Sequence, residues 1–207
     1  MLLPDVAHLP FWLSERLAKG ERSSGGDYQL NALRAASVLI PIVLHPSGAT
    51  VLLTERAAHL NAHAGQVSFP GGASEVQDID AVATALRETE EEIGLPAERV
   101  EVLACLGDYH TISGFCVTPV VGLVQPGFSL LPDPTEVADV FELPLSVVLD
   151  RSRYEKRWIS RKGIRGTTHF LECGDRIVWG ATAGMLLNFS LDLSLGGIPK
   201  DMTLDAP

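Results

Sequence analysis

The stretch RETEEEIGLP, Arg87 to Pro96, places Glu88, Glu90, Glu91 and Glu92 within five consecutive positions, with one arginine beside them and no lysine in reach. It ends a longer segment, DAVATALRETEEEIGL, that reads as a helix. Asp78 or Asp80 can cap its start, Gly94 suits the left-handed position after the last turn, and Pro96 prevents continuation. At about 100° per residue, Val82, Leu86, Thr89 and Ile93 share one stripe, while Glu88, Glu91 and Glu92 form a second and Glu90 belongs to neither. A salt-bridged face would carry a basic residue four positions after each glutamate. Here Glu92 follows Glu88 and Leu95 follows Glu91, so only Arg87 can pair back, to Glu91. The acidic stripe is either a solvated face or a seat for a hard cation such as Mg²⁺ or Mn²⁺.

Upstream lies Phe69-Pro70-Gly71-Gly72, a rigid turn followed by two residues without side chains, where backbone can approach a metal or a phosphate closely. Before it, ASVLIPIVL (Ala36 to Leu44) is a continuous apolar run of buried-strand length. It is closed by the turn HPSG and followed by a second strand, ATVLLTER, so a hairpin is expected. QVSF is expected as a strand, as are VEVLACLG and FCVTPVVGLV. LPDPTEVADVFELPL is expected to be a connection and helix, with Glu136 either reactive or capping that helix. RYEKRWISRKG and THFLECGDRIVW suggest a hairpin extension, about 151–179, before a final helix at about 180–193. At the start, Leu9 to Lys19 reads as an amphipathic helix joined through the flexible ERSSGGDYQ link. Residues 1–35 are thus an N-terminal helix and linker, 36–193 the main domain and 194–207 a loose tail.

Composition narrows the class. The 207 residues are 46% hydrophobic and 20% charged, suited to one α/β or α+β domain with a sizeable core. No apolar run reaches the roughly 20 residues of a membrane span, and the first residues lack a signal-peptide pattern. Cys105, Cys116 and Cys173 are odd in number and far apart, as expected of reduced thiols in a cytoplasmic protein. A net charge of −10 argues against a nucleic-acid partner. Between Ala57 and Asp150 two basic residues face fifteen acidic ones, whereas Arg151 to Arg165 holds seven basic residues and only Glu155. The basic block is either charge scattered over a hairpin or an anion-holding surface.

These residues resemble the Nudix hydrolases, whose signature runs from a glycine through an acid to Arg-Glu-apolar-x-Glu-Glu-x-Gly-apolar. Gly72, Asp78, Arg87, Glu88, Glu91, Glu92, Gly94 and Leu95 carry it. Asp78 stands for the usual glutamate and Thr89 for the usual apolar residue. The glycine-to-arginine interval is one residue longer, as in the coenzyme A pyrophosphatase branch. That branch has a second motif, which LLTERAAHLNAHAGQVSFPGG resembles through Leu52, Leu53, Thr54, Arg56, Ala57, Gly65 and Phe69 to Gly72; Asn61 replaces its arginine. TISGFCVTPVVG, EVADVFELPL and WGATAGML are also similar to it, so the resemblance spans roughly Ala36 to Leu187.

The resemblance implies a Nudix fold, an α/β/α sandwich around a mixed β-sheet, and hydrolysis of a nucleoside diphosphate linked to another moiety. It implies Mg²⁺ or Mn²⁺ on Glu88, Glu91, Glu92 and the Gly71 carbonyl, with Arg87 bracing Glu91. Arg56, Gly65, Phe69 and Gly72 are expected around the substrate. Arg161 and Lys162 in the basic block are candidates for a 3′-phosphate contact, from charge alone. Glu136 is the first candidate general base and Glu92 the second. Coenzyme A or an acyl derivative is the expected substrate; ADP-ribose, NADH or a dinucleoside polyphosphate is the alternative. A silent nucleotide-binding module is the reading from another class. Apolar faces on the N-terminal helix and terminal hairpin suggest a homodimer.

Overall fold

The computed structural model describes residues 3–19, 22–26, 33–59, 65–161 and 164–193; the side chains of 161, 164 and 165 lie outside that description. The sheet is built on two long apolar strands, β2 (Arg34–His45) and β8 (Phe115–Val124), which run parallel and in register from Arg34↔Phe115 to Val43↔Val124. Around them lie β1 (Gly25–Gly26), β3 (Gly48–Arg56), β4 (Val67–Ser68), β5 (Gly71–Ala73), β6 (Val100–Cys105), β7 (Tyr109–His110) and β9 (Val137–Pro144). Together they make one nine-stranded mixed sheet. Its helices are α1 (Leu9–Lys19), α2 (Ala81–Ile93), the single turn α3 (Leu145–Val148) and α4 (Ala181–Asp192).

The continuous apolar runs arise because the central strands are covered on both faces. Leu39, Val43, Leu52, Val120 and Val124 pack with Ala85 and Ile93 of α2. Their alternates Ile40, Ile42, Val51, Leu53, Val121 and Leu123 pack with α1 and α4. The α/β/α sandwich is therefore dictated by period-two alternation inside runs that look uniformly apolar.

The long strand β2 has two partners on one edge. Val38, Ser37 and Ala36 pair with β5, whereas Ile42 to His45 pair with β3. Between them the Leu39 amide donates to the Pro70 carbonyl at 2.9 Å. The Pro-Gly-Gly segment is thus inserted where two strands part, and the expected breaker is in fact a short strand. With φ +146° at Gly71, a Cβ there would come within 2.4 Å of the Ser37 carbonyl oxygen, so only glycine permits this pairing.

Other expectations are corrected. VADVFELP is strand β9, paired antiparallel with β3 from Pro144 to Val137, and only Leu145–Val148 is helical. Glu136 therefore precedes a strand and caps no helix. Within the expected flexible link, Gly25–Gly26 pairs with β7. The apolar face of α1 (Leu9, Leu13 and Leu17) is fully buried in the core and is not offered to a second copy.

The expected extension is a separate antiparallel sheet of β10 (Tyr154–Arg161), β11 (Ile164–Cys173) and β12 (Arg176–Trp179). Arg176 fastens it to the main sheet, reaching Glu55 of β3 at 2.6 Å and Asp139 of β9 at 2.5 Å over the Phe141 ring. Trp12 packs against the core and Trp179 stacks on Phe170, while Trp158 stays 73% exposed. All three cysteines are free thiols.

Candidate active site

Helix α2 is fixed at both ends before any functional side chain is considered. Asp80 caps its start, its Oδ1 accepting from the Ala83 amide at 2.8 Å. At the other end Gly94, with φ +68°, donates its amide to the Glu90 carbonyl. Two further terminal carbonyls, of Glu92 and Ile93, accept from the amides of Asp133 and Leu131. That last pairing draws the loop carrying Glu136 against the end of the helix. Thr84, Ala85, Thr89 and Ile93 are buried, which fixes the rotation of α2 and hence where each glutamate faces.

Arg87 organises the outer side. Its Nε and Nη2 donate to the two oxygens of Asp78, both at 3.0 Å, and Nη2 also reaches the Ala73 carbonyl at 3.2 Å. Nη1 lies 2.9 Å from Glu91 Oε2 and 3.1 Å from Glu88 Oε1. Asp78 also accepts from the Glu75 amide and the Thr84 hydroxyl. The Arg87 hydrogen bonds hold the Asp78 carboxyl well below the usual carboxylate range and push the guanidinium higher still. Sequence offered Asp78 as a cap or a signature acid. Its forked grip on Arg87 was not foreseen, since a pair nine positions apart across a loop leaves no periodic trace.

Glu92 points inward. Its side chain is 5% exposed; Oε2 accepts from the Gly71 amide at 3.1 Å and Oε1 lies 3.6 Å from Arg56 Nη1. Burial pushes its pKa up to about 7, against the Gly71 hydrogen bond and Arg56 charge that lower it, with Glu136 and Glu88 adding repulsion. The Glu88 carboxyl is likewise raised, first by burial, despite Arg87. It lies over Gly72, where a Cβ would come within 2.4 Å of its oxygen.

The expected site residues therefore separate by position. Glu88, Glu92, Gly71, Gly72, Arg56 and Arg87 come together, and the charge of Glu136, on an exposed loop, reaches both Glu88 and Glu92. Glu91 is 60% exposed and engaged by Arg87. At Gly65, just before β4, the amide donates to the Arg56 carbonyl. Phe69 is 2% exposed in the core on the α1 and α4 side, so its ring does not face this cluster. Asn61 and Lys162 lie outside the described residues, as does the Arg161 side chain.

A family profile described as the NUDIX domain matches residues 33–162. The chain belongs to the Nudix hydrolase family. It is similar to a protein named uncharacterized Nudix hydrolase NudL from Photorhabdus laumondii subsp. laumondii, 45% identical over 153 residues, covering 74% of this chain and 81% of that one. A protein of the same name from Pectobacterium atrosepticum is 44% identical over 161 residues, covering 78% and 83%. Among solved structures, the Nudix hydrolase RenU from M. smegmatis has 24% identity and a TM-score of 0.47, covering 59% of this chain and 78% of that one.

Nudix hydrolases in general use divalent metal ions, and the donor set here fits a hard cation. Glu88 and Glu92 are carboxylates whose burial leaves negative charge under-compensated, beside backbone that glycine alone keeps open. Among the described residues no three His, Cys, Asp or Glu side chains form a ready-made metal cluster. Arg87 engages Glu88 and the 60% exposed Glu91, while Glu92, 5% exposed, meets Gly71 and Arg56.

Proposed function

We propose that this Nudix hydrolase cleaves the pyrophosphate of coenzyme A or an acyl derivative. Water attacks phosphorus and the bridging P–O bond breaks, giving 4′-phosphopantetheine and adenosine 3′,5′-bisphosphate. The observation that carries the chemistry is the pair of carboxylates, buried Glu92 and partly buried Glu88, held against Gly71-Gly72. The coenzyme A assignment is supported by the stretch LLTERAAHLNAHAGQVSFPGG.

In this reading Glu88, Glu91 and Glu92, with the Gly71 carbonyl, hold Mg²⁺ or Mn²⁺. What such an ion supplies is neutralisation of the pyrophosphate and a lower pKa for the attacking water. Arg87 acts by holding carboxylates in place, pinned in turn by Asp78. Glu136 is the first candidate to accept the water's proton. It has no helix to cap, and its backbone carbonyl accepts from Ala57, beside Arg56, at 2.8 Å. Arg56 and Gly72 line the substrate side.

Arg161 and Lys162 are the basic-block residues proposed for the 3′-phosphate. Within that block Arg157 is paired with Glu155 and Glu172, and Arg153 with Asp150. Asn61, in place of the motif arginine, favours a second reading with the same chemistry on ADP-ribose, NADH or a dinucleoside polyphosphate.

The test is product identification after incubation with Mn²⁺ or Mg²⁺ and a panel including coenzyme A and its 3′-dephospho form. A coenzyme A site discriminates strongly between those two. Equal rates for both, with faster cleavage of ADP-ribose or NADH, would move the assignment to the second reading.

A further inference from the structure

We propose that Arg56 is an exchangeable counter-ion, resting on Glu92 in the metal-free protein and turning to the substrate's pyrophosphate when a divalent cation occupies that carboxylate. This deepens, and rests on, the pyrophosphatase reading above.

The backbone around Arg56 is held on both sides. Pairing of β3 with β9 runs in register to Glu55↔Asp139 and then slips, so that Arg56 faces Val137. The extra residue is Ala138 of β9, so Arg56 on β3 stands opposite a bulge in its partner strand. Both flanks of the slip are fixed. Glu55 is held by Arg176, the Arg56 amide donates to the Gln66 carbonyl at 3.0 Å, and the Ala57 amide donates to the Glu136 carbonyl at 2.8 Å. The guanidinium is what remains able to change partner.

Its present contact is loose. Arg56 Nη1 lies 3.6 Å from Glu92 Oε1, beyond hydrogen-bond length, and the side chain is 28% exposed. Arg87 is the contrast: its fork is committed to Asp78, the Ala73 carbonyl, Glu88 and Glu91. Among the described residues Arg56 is the one basic side chain in ion-pair contact with Glu92. A cation on Glu92 would repel it, and a diphosphate supplies paired phosphoryl oxygens that the planar guanidinium can engage bidentately.

The prediction has opposite signs for metal and substrate. Mn²⁺ affinity is measured without substrate, by the resonance of free Mn²⁺, for the wild type, Arg56→Met and Arg56→Lys. Arg56→Met should bind Mn²⁺ roughly tenfold more tightly while KM for coenzyme A rises; Arg56→Lys should keep wild-type Mn²⁺ affinity. Unchanged or weaker Mn²⁺ binding by Arg56→Met overturns the exchange, even if KM rises and the pyrophosphatase reading stands. Absence of diphosphate cleavage by the wild type would instead sink that reading. Should Arg56→Met fail to melt cooperatively, the wild type still decides. Its Arg56 Nε–H nuclear magnetic resonance signal, assigned by its loss in Arg56→Lys, must shift on adding Mg²⁺, and a stationary signal overturns the proposal.

Discussion

Arg87 and Asp78 meet fork to fork, Nε to Oδ1 and Nη2 to Oδ2 both at 3.0 Å, so the arginine that touches Glu88 and Glu91 is anchored outside its own helix. Asp78→Asn removes the charge and one acceptor from that anchor. Metal affinity or kcat/KM should fall about 10–100-fold, read by Mn²⁺ titration and steady-state kinetics. Unchanged values for both would show that Arg87 needs no anchor.

The two adjacent glycines should fail differently. At Gly71 a Cβ meets the Ser37 carbonyl oxygen and Val38 backbone with φ at +146°, so Gly71→Ala should cost about 1–3 kcal/mol of stability. At Gly72 the Cβ meets the flexible end of Glu88. Gly72→Ala should therefore melt like the wild type and bind Mn²⁺ more weakly. Thermal unfolding beside Mn²⁺ titration checks the contrast.

Glu92 makes metal-free stability depend on pH. Its folded pKa, about 7, lies above its ordinary 4.5, so the native state holds the proton more tightly than the unfolded chain. This stabilisation is full below about pH 4.5 and lost as pH rises through about 7. Glu92→Gln keeps an acceptor for the Gly71 amide and removes the buried charge. Without metal at pH 8 it should be more stable than the wild type by about 1–2 kcal/mol. It should also lose the stabilisation that added Mn²⁺ gives the wild type. A variant less stable than the wild type at pH 8 would contradict this.

Much of this was legible in the sequence where one period decided the structure. The 3.6-residue stripes of α1 and α2 and the apolar runs of β2, β3 and β8 fall where expected. VADVFELP was not legible, because its charged residues find lateral partners that only the folded sheet supplies: Asp139 with Arg176, and Glu142 with His45 and Thr50. Here pairing with β3 outweighs local pattern. The glutamates lie on α2, yet spacing could not reveal that Glu91 stays 60% exposed beside Arg87 while Glu92 sinks to 5% exposure. Nor could it reveal the register slip in β9 opposite Arg56.

Glu136 offers a test of the proton acceptor. Glu136→Gln should lower kcat about 100-fold or more while Mn²⁺ affinity and melting stay near wild type. Full turnover in this variant would pass the role to Glu92.

The most direct measurement is cleavage of coenzyme A in ¹⁸O-labelled water, with and without divalent cation, followed by mass spectrometry of both products. One labelled oxygen should appear in one of the two products, only with Mg²⁺ or Mn²⁺, and vanish in Glu92→Gln. Intact coenzyme A and intact nucleoside diphosphate analogues under every metal condition, or cleavage that persists in excess chelator, would contradict metal-dependent pyrophosphate hydrolysis by these carboxylates.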